Sequence, residues 1–542
     1  MDLVIRGGVI VDGTGAPSFR GDVGIDQGKI FAVSKNSELQ GKERIDASDL
    51  IVTPGFIDVH THSDFPLLQN TKAESYVRQG VTTSVLGACG RSCAPVNDAT
   101  KDLLIKDIIG YDARLSLNWH SFQEYLHEFE KKGTAQNIAA LVAHNAVRIF
   151  VMGYEARAST RDELEEMKRL VDESMNAGAI GLSTGLAYPP GGNATTEEII
   201  ELAKIASHYG GFYSSHLRGT NGDFLAGAEE ALTIGEKAQL PVHIGHFCGF
   251  FGNFEDTQRG LKMIEDARNQ GMDVTCDLYP YLAGANPLMS FFPPTIFNRQ
   301  WSELVEEFCS SSNRKKLAEE IRNSELGAFW LSKPETLNRI MLFDIYATSN
   351  QAFKGKNLTE IGRLKSMDPL DATLSILADE GKDMFNTGVI CQWMGERDNF
   401  AVFREPFHMI GSDGIALAPY GELASFKFHP RAYGTFPRVI ARYVRENAVL
   451  SLEEAIRKMT SLPARRIGLR DRGQIKQGMW ADLVVFNYEH IMDRSTYEQP
   501  NLYSEGIEYV LINGEIVVRK GTHTGKLPGK VLRHDSTTYA DT

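Results

Sequence analysis

The run Pro54-Gly-Phe-Ile-Asp-Val-His60-Thr-His62 sets a turn, a short apolar stretch and two histidines at i and i+2 in immediate succession. On a strand, residues two apart point to the same face, so both imidazoles leave the end of a buried strand side by side. Neutral imidazole is the commonest metal ligand, and a cation between the rings is the readiest reason for a soluble chain to pair them there. Two structural histidines would give the same spelling, so the surrounding pattern has to decide. It repeats: Gly87-Ala-Cys89-Gly90, Tyr213-Ser-Ser-His216, Ile244-Gly-His246 and Gly411-Ser-Asp413-Gly414 each place a ligand-type residue at or near the end of a strand-like run.

Between these runs lie helical stretches such as Arg161 to Val171, whose apolar residues keep a helical period and which Thr160 caps. Alternating strand and helix implies a parallel sheet. The strand-like runs end near His62, Cys89, His144, Thr184, His216, His246, Tyr279 and Asp413, the number that closes a (β/α)8 barrel with all C-terminal ends at one mouth. The fold class is therefore α/β, with a TIM-type barrel over residues 54–462. Residues 1–53 read as short strands, Leu3-Val-Ile-Arg and Val9-Ile-Val-Asp among them, and residues 463–542 read similarly through Ala481 to Phe486 and Tyr509 to Val518. Neither end closes a core alone, so one small β-sandwich built from both termini is expected. The segment from about 287 to 383 breaks the alternation and is read as an inserted lid, with Phe291-Phe-Pro-Pro294 as its packing.

At 542 residues the chain is long enough for a large domain and a smaller one. Hydrophobic residues make up 42% and charged ones 23%, and no apolar run reaches bilayer length, so no membrane partner is expected. A formal net charge of −13 without a basic cluster argues against a nucleic-acid surface and leaves a small-molecule substrate. Six scattered cysteines suit reduced thiols, and the start of the chain lacks a signal-peptide pattern, so a cytoplasmic location is expected. The sequence sets no oligomeric state.

Over almost the whole chain the sequence resembles the amidohydrolase superfamily, and within it the N-acyl-D-amino-acid deacylase (D-aminoacylase) family. The resemblance rests on Gly55 to His62, on Gly80-Val-Thr-Thr-Ser-Val-Leu-Gly-Ala-Cys89-Gly-Arg-Ser-Cys-Ala-Pro95, on Gly181-Leu-Ser-Thr-Gly-Leu-Ala-Tyr188 and on His429-Pro-Arg431-Ala-Tyr-Gly-Thr-Phe-Pro-Arg438, in that order. It implies a zinc-dependent hydrolase of the amide bond in N-acyl-D-amino acids. It implies a tight Zn2+ site at Cys89, His216 and His246, the cysteine standing where other superfamily members use a carboxylated lysine, and a weaker second position at His60, His62 and Asp413. A thiolate and two imidazoles leave one tetrahedral position open, as a catalytic zinc requires. Strand four, Gly181-Leu-Ser-Thr-Gly185, offers no lysine, which agrees with the thiolate version. Asp413 looks like the general base and then general acid, since a carboxylate beside a metal-activated water can move its proton to the leaving amine.

For the substrate, the resemblance carries Arg431 to the carboxylate, with Tyr188 and Tyr279 beside it, because a guanidinium meets both carboxylate oxygens. His144 is read either as polarising the substrate carbonyl or as a hydrogen-bonded structural histidine. His243, three residues before His246, falls on the opposite face and is read as core, and Cys93 as a packed thiol. Two departures from the family stand out: Cys248 replaces a lysine, and Ala285-Asn286 replaces a Ser-Thr pair. Hydrolysis of another amide, such as a peptide or cyclic amide, is the competing enzyme reading, and a non-catalytic scaffold is a third that the full ligand set disfavours.

Overall fold

The computed structural model describes residues 1–35, 38–110, 116–221, 223–293, 296–426 and 428–534. Strands Phe56–Asp58, Val81–Leu86 and Asn137–Ala140 pair in parallel, and the third resumes at Val142–Ala143. Onto that segment Gly181–Gly185, Phe212–His216, Val242–Ile244, Val274–Leu278 and His408–Ile410 add in parallel and in chain order. The ring closes between the first and last strands, where the Asp413 amide donates to the His60 carbonyl at 2.8 Å and the His62 amide to the Gly414 carbonyl at 2.8 Å. Closure thus runs through the very segments that carry three of the expected ligands. The eight strand ends read from the sequence are those of a (β/α)8 barrel.

Barrel strands are sealed on both faces, by the interior on one side and the helix ring on the other, so most of their residues are apolar or small. Val81-Thr-Thr-Ser-Val-Leu86 is buried at every position. The helices face water on one side and are fixed at their starts. In Arg161–Asn176 the Thr160 hydroxyl accepts from the Glu163 amide while the Glu163 carboxylate accepts from the Thr160 amide, satisfying two donors that would otherwise lack partners.

The two termini meet in one nine-stranded array, joined where Ile51–Pro54 pairs antiparallel with Leu483–Phe486. Its own core takes Leu3, Ile5, Val23 and Ile45 from one end and Leu483, Val485 and Leu511 from the other, so the two ends share one core. Two strands expected at Leu3 to Arg6 and Val9 to Asp12 are instead one, Leu3–Ile10, with a register shift between Ile5 and Gly8. Gly7 sits at φ +72° with its amide on Asp22 Oδ1 at 2.8 Å, so the Gly-Gly pair makes a bulge and not a turn.

The inserted segment reaches beyond 287–383 at both ends. Strands Ala283–Pro287, Ile340–Asp344 and Gly388–Gln392 form a separate antiparallel sheet, and helices fill the intervals between them. The first and last of these strands pair with each other, and the last also with Ile340–Asp344, so the excursion spans at least 283–392. Among the described residues no helix is long and apolar enough to cross a membrane.

Candidate metal centre

Each expected ligand comes from a strand end whose backbone is held by its neighbours. Asp58 Oδ1 accepts from the amides of His60 (3.2 Å) and Ser412 (2.9 Å), tying the first strand to the eighth. Cys89 lies in the one-turn helix Ala88–Gly90, where Gly87, Cys89 and Gly90 have φ values of 76°, 54° and 71°. A Cβ on Gly87 would lie 2.4 Å from the Leu141 carbonyl oxygen, and one on Gly90 would lie 2.6 Å from the Gly185 amide nitrogen, so only glycine allows the turn that aims the cysteine inward. His246 and Asp413 are also left-handed, at φ 36° and 50°. Three non-glycine residues in this sparsely populated region, all aimed at one point, mark a site that the surrounding fold over-determines.

Two interlocking donor groups result. His60, His62, Cys89 and Asp413 form one and Cys89, His216 and His246 the other, with the donor atoms of each within 4.8 Å of one another and Cys89 common to both. His60 Nε2 is 3.0 Å from Cys89 Sγ and 3.5 Å from Asp413 Oδ1, and His62 Nε2 is 2.9 Å from the same Asp413 oxygen. His246 Nε2 is 2.7 Å from His216 Nδ1 and 3.7 Å from Cys89 Sγ. Lone-pair atoms converge at these distances with few protons to share, and a set of imidazole nitrogens, one thiolate and one carboxylate suits zinc. The set of six read from the sequence is brought together whole.

The electrostatics agree with this donor chemistry. Burial by itself would raise the Cys89 thiol, but the imidazoles of His60, His216 and His246 hold it well below its ordinary value, in the thiolate form that binds metal. Burial and the neighbouring His246 pull His216 down to about 4, so that ring is neutral and has a free lone pair. Burial opposes ionisation of Asp413 too, yet Arg431 and His60 hold its carboxyl well below the usual carboxylate range.

Sequence reasoning missed Asp277. Fully buried at the end of the seventh strand, it accepts at Oδ2 from His60 Nδ1 and from His243 Nε2, both at 2.8 Å, and at Oδ1 from the His246 amide at 2.9 Å. An ionised carboxylate can only accept, so Asp277 fixes a proton on His60 Nδ1 and turns Nε2, the nitrogen left to meet a metal, toward Cys89 and Asp413. The one signal in the sequence is Asp277 two residues before Tyr279, at a strand end. His243 is core, as expected, and steadies the same carboxylate. Asp277→Ala is therefore expected to weaken metal affinity by about 10- to 100-fold, a typical loss for a group that orients a ligand. Competition with a chelator measures it, and unchanged affinity would remove Asp277 from the support of the site.

Over the donors opens a cavity lined by His62, Cys89, His216, His246 and Asp413 at its base. Tyr188, Tyr279 and Arg431 all stand on its wall. Arg431 Nη1 lies 2.8 Å from Asp413 Oδ2, its guanidinium stacks 4.7 Å over the Tyr279 ring, and its Nε has no hydrogen-bond partner among the described residues. The Tyr188 hydroxyl donates to the Cys89 carbonyl. His144 does not line the cavity: its Nε2 donates to Glu198 Oε1 at 2.9 Å in a buried cluster with Arg148, which corrects the reading of it as a substrate contact. The chain turns into a helix at His144, and that turn takes the ring away from the mouth. Ala285 and Asn286 line the cavity, whereas Cys248 is packed in the core with its thiol near the Gly249 carbonyl. The insertion adds Ser290, Phe291, Trp330 and Trp393, so Phe291 is more than lid packing. Pro294 of that run lies outside the described residues.

The amidohydrolase family profile matches residues 43–295 and 410–518, leaving out most of the insertion. D-aminoacylase of Alcaligenes xylosoxydans xylosoxydans is 34% identical over 532 residues, covering 98% of this chain and 97% of that one. N-acyl-D-glutamate deacylase of the same organism is 33% identical over 99% of this chain and 97% of its own length. Among solved structures, N-acyl-D-glutamate deacylase from Bordetella bronchiseptica, complexed with zinc and a phosphonate mimic of the tetrahedral intermediate, gives a TM-score of 0.79 at 31% identity over 98% of this chain and 99% of that one. A D-aminoacylase described as having a binuclear metal centre gives 0.80 at 33% identity over 98% and 99%.

Proposed function

The chain belongs to the amidohydrolase family, and on that premise we propose that it hydrolyses the amide bond of N-acyl-D-amino acids, with zinc held by Cys89, His216 and His246 and a second, weaker position at His60, His62 and Asp413. One observation carries the reading: the two donor groups share Cys89 at the base of a cavity whose wall sets Arg431 directly against Asp413. Asp413 catalyses, Arg431 and Tyr279 hold the substrate carboxylate, and Tyr188 stands over the amide. The six cysteines are free thiols, which fits a reducing compartment, so we place the enzyme in the cytoplasm.

The chain's own groups divide the work. Arg431 lines the cavity, where its guanidinium offers donors to a desolvated carboxylate. With that carboxylate anchored, the amide carbonyl lies over the Cys89 and His246 end of the site. Bound zinc supplies a Lewis acid that polarises this carbonyl and makes water acidic enough to attack near neutral pH. Asp413 begins as the carboxylate that Arg431 and His60 secure, takes a proton from the attacking water and returns it to the amide nitrogen as the C–N bond breaks. The Tyr188 hydroxyl reaches a substrate oxygen only by giving up the Cys89 carbonyl. Walls from the insertion, Phe291, Trp330 and Trp393, keep the reacting bond out of bulk water.

A chiral panel of N-acyl amino acids, dipeptides and cyclic amides assayed with zinc-loaded protein tests the reading. Release of a D-amino acid from the N-acyl-D compounds is expected, and turnover confined to peptides or cyclic amides would replace it. Arg431→Met is expected to raise KM for N-acyl-D-amino acids at least about 30-fold, since leaving a buried carboxylate unpaired typically costs about 2–5 kcal/mol. The same variant should lower kcat on every substrate, because Asp413 loses its partner. On carboxamide analogues only kcat should fall, and an equal KM change on both would remove the carboxylate role.

A further inference from the structure

A second guanidinium shares the cavity with Arg431, and neither the donor groups nor the proton transfer uses it. Arg91 follows Cys89 by two residues, lines the cavity, and is about nine-tenths buried. Its guanidinium stacks 4.2 Å over the Tyr188 ring, and its Nη2 donates to the Ser290 hydroxyl at 3.2 Å. Asp107 Oδ1 lies 3.3 Å from its Nε, yet that nitrogen makes no hydrogen bond among the described residues, and Asp107 Oδ2 likewise has no partner. Asp107 is off the wall of this cavity and lines a neighbouring one, so the arginine stands between it and the site. Burial raises the Asp107 carboxyl above its ordinary value against the pull of Arg91. A guanidinium on the cavity wall with its Nη2 beside a serine hydroxyl offers donors of the kind that receive a carboxylate.

Its position says which part of a substrate it meets. Arg91 stands over the second and fourth barrel strands, through Cys89 and Tyr188, whereas Arg431 stands over the seventh and eighth, through Tyr279 and Asp413. The donor groups lie between them. An N-acyl amino acid with its α-carboxylate at Arg431 and its amide carbonyl over Cys89 must run its acyl chain on toward Arg91, along Phe291, whose ring lies tilted 5.3 Å from that of Trp330. Resting on the proposed deacylase reading, we propose that Arg91 and Ser290 form a second carboxylate subsite, and that the preferred substrates carry a short dicarboxylic acyl group, such as N-succinyl, on the amino acid.

The test compares kcat/KM for N-succinyl-D-methionine and its neutral isostere N-succinamoyl-D-methionine in zinc-loaded wild type, Arg91→Met, Arg91→Lys and Ser290→Ala. Wild type should favour the succinyl compound at least tenfold. Arg91→Met should abolish that preference, and Arg91→Lys should retain part of it with unchanged zinc content. Succinate binding, followed by calorimetry in wild type and Arg91→Met, gives a readout free of turnover. Equal use of the two acyl compounds by wild type, or an equal fall on both in Arg91→Met, would overturn the subsite and leave Arg91 as a clamp on Tyr188. An Arg91-dependent preference found only for N-acetyl-D-glutamate over N-acetyl-D-glutamine would move the second carboxylate to the amino-acid side chain and overturn the acyl assignment. Arg91-dependent succinate binding with no hydrolysis of any N-acyl amino acid would support the subsite and count against the deacylase reading instead.

Discussion

Replacing Cys89 with alanine should strip the protein of tightly held zinc and of measurable amide hydrolysis together. The sulfur belongs to both donor groups, so its loss reduces one to two imidazoles and takes from the other the atom 3.0 Å from His60 Nε2. A two-imidazole remnant lacks the charge and the third ligand that hold zinc in a catalytic site. The thiolate exists because three histidines surround it against the tendency of burial to protonate it, so no other thiol is expected to substitute. Cys93, four residues on, is buried and held well above the ordinary thiol value by burial and by nearby Asp64. Metal analysis after gel filtration decides the matter, and a full zinc complement in Cys89→Ala would mean the ligands lie elsewhere. Fold loss is not the expected cause, because the turn around the cysteine is made by Gly87 and Gly90, which the substitution leaves in place.

Asp413→Asn should keep the zinc at Cys89, His216 and His246 and lose about 10²- to 10⁴-fold in kcat, the usual range for removing a positioned general acid or base. The amide is nearly isosteric, so packing against Arg431 and His62 changes little. What disappears is the ability to accept a proton at an oxygen 2.9 Å from His62 Nε2 and 3.5 Å from His60 Nε2. The second donor group also loses its one carboxylate, so metal titration should show the weaker position weakened further while the first stays filled. Turnover within about threefold of wild type, measured at saturating substrate, would hand the proton transfer to another group.

Much of the site was legible because barrel geometry turns sequence order into spatial order. Cys89, His216, His246 and Asp413 lie far apart in the chain, but each ends a strand-like run, and parallel strands around one axis deliver their ends to one mouth. The histidines at 60 and 62 were readable from period-two spacing. Arg431, Tyr188 and Tyr279 came through resemblance to a family motif, and all three reach the cavity wall. His144 was misplaced by the same rule that placed the others. It does end the third strand, but it also begins a helix, and a residue at that junction turns with the helix.

Other features were set by contacts that no local pattern announces. Asp277 supports three histidines only because the first, sixth and seventh strands lie close enough to share one carboxylate. Phe291, Trp330 and Trp393 gather at the site because the insertion folds its own sheet and lays its aromatic residues over the barrel mouth. How a buried arginine is shared between an acid and the cavity wall, as at Arg91 and Arg431, depends on ångström-scale placement of side chains from distant segments. The sequence by itself determined the barrel, the six donors and the class of chemistry, because period, strand order and ligand type are local properties copied faithfully into three dimensions. Tertiary structure alone decided the orientation of the His60 ring, the company of each arginine and the shape of the substrate's path, because these depend on which side chains from remote segments come within hydrogen-bonding distance, and that is fixed only when the whole chain has packed.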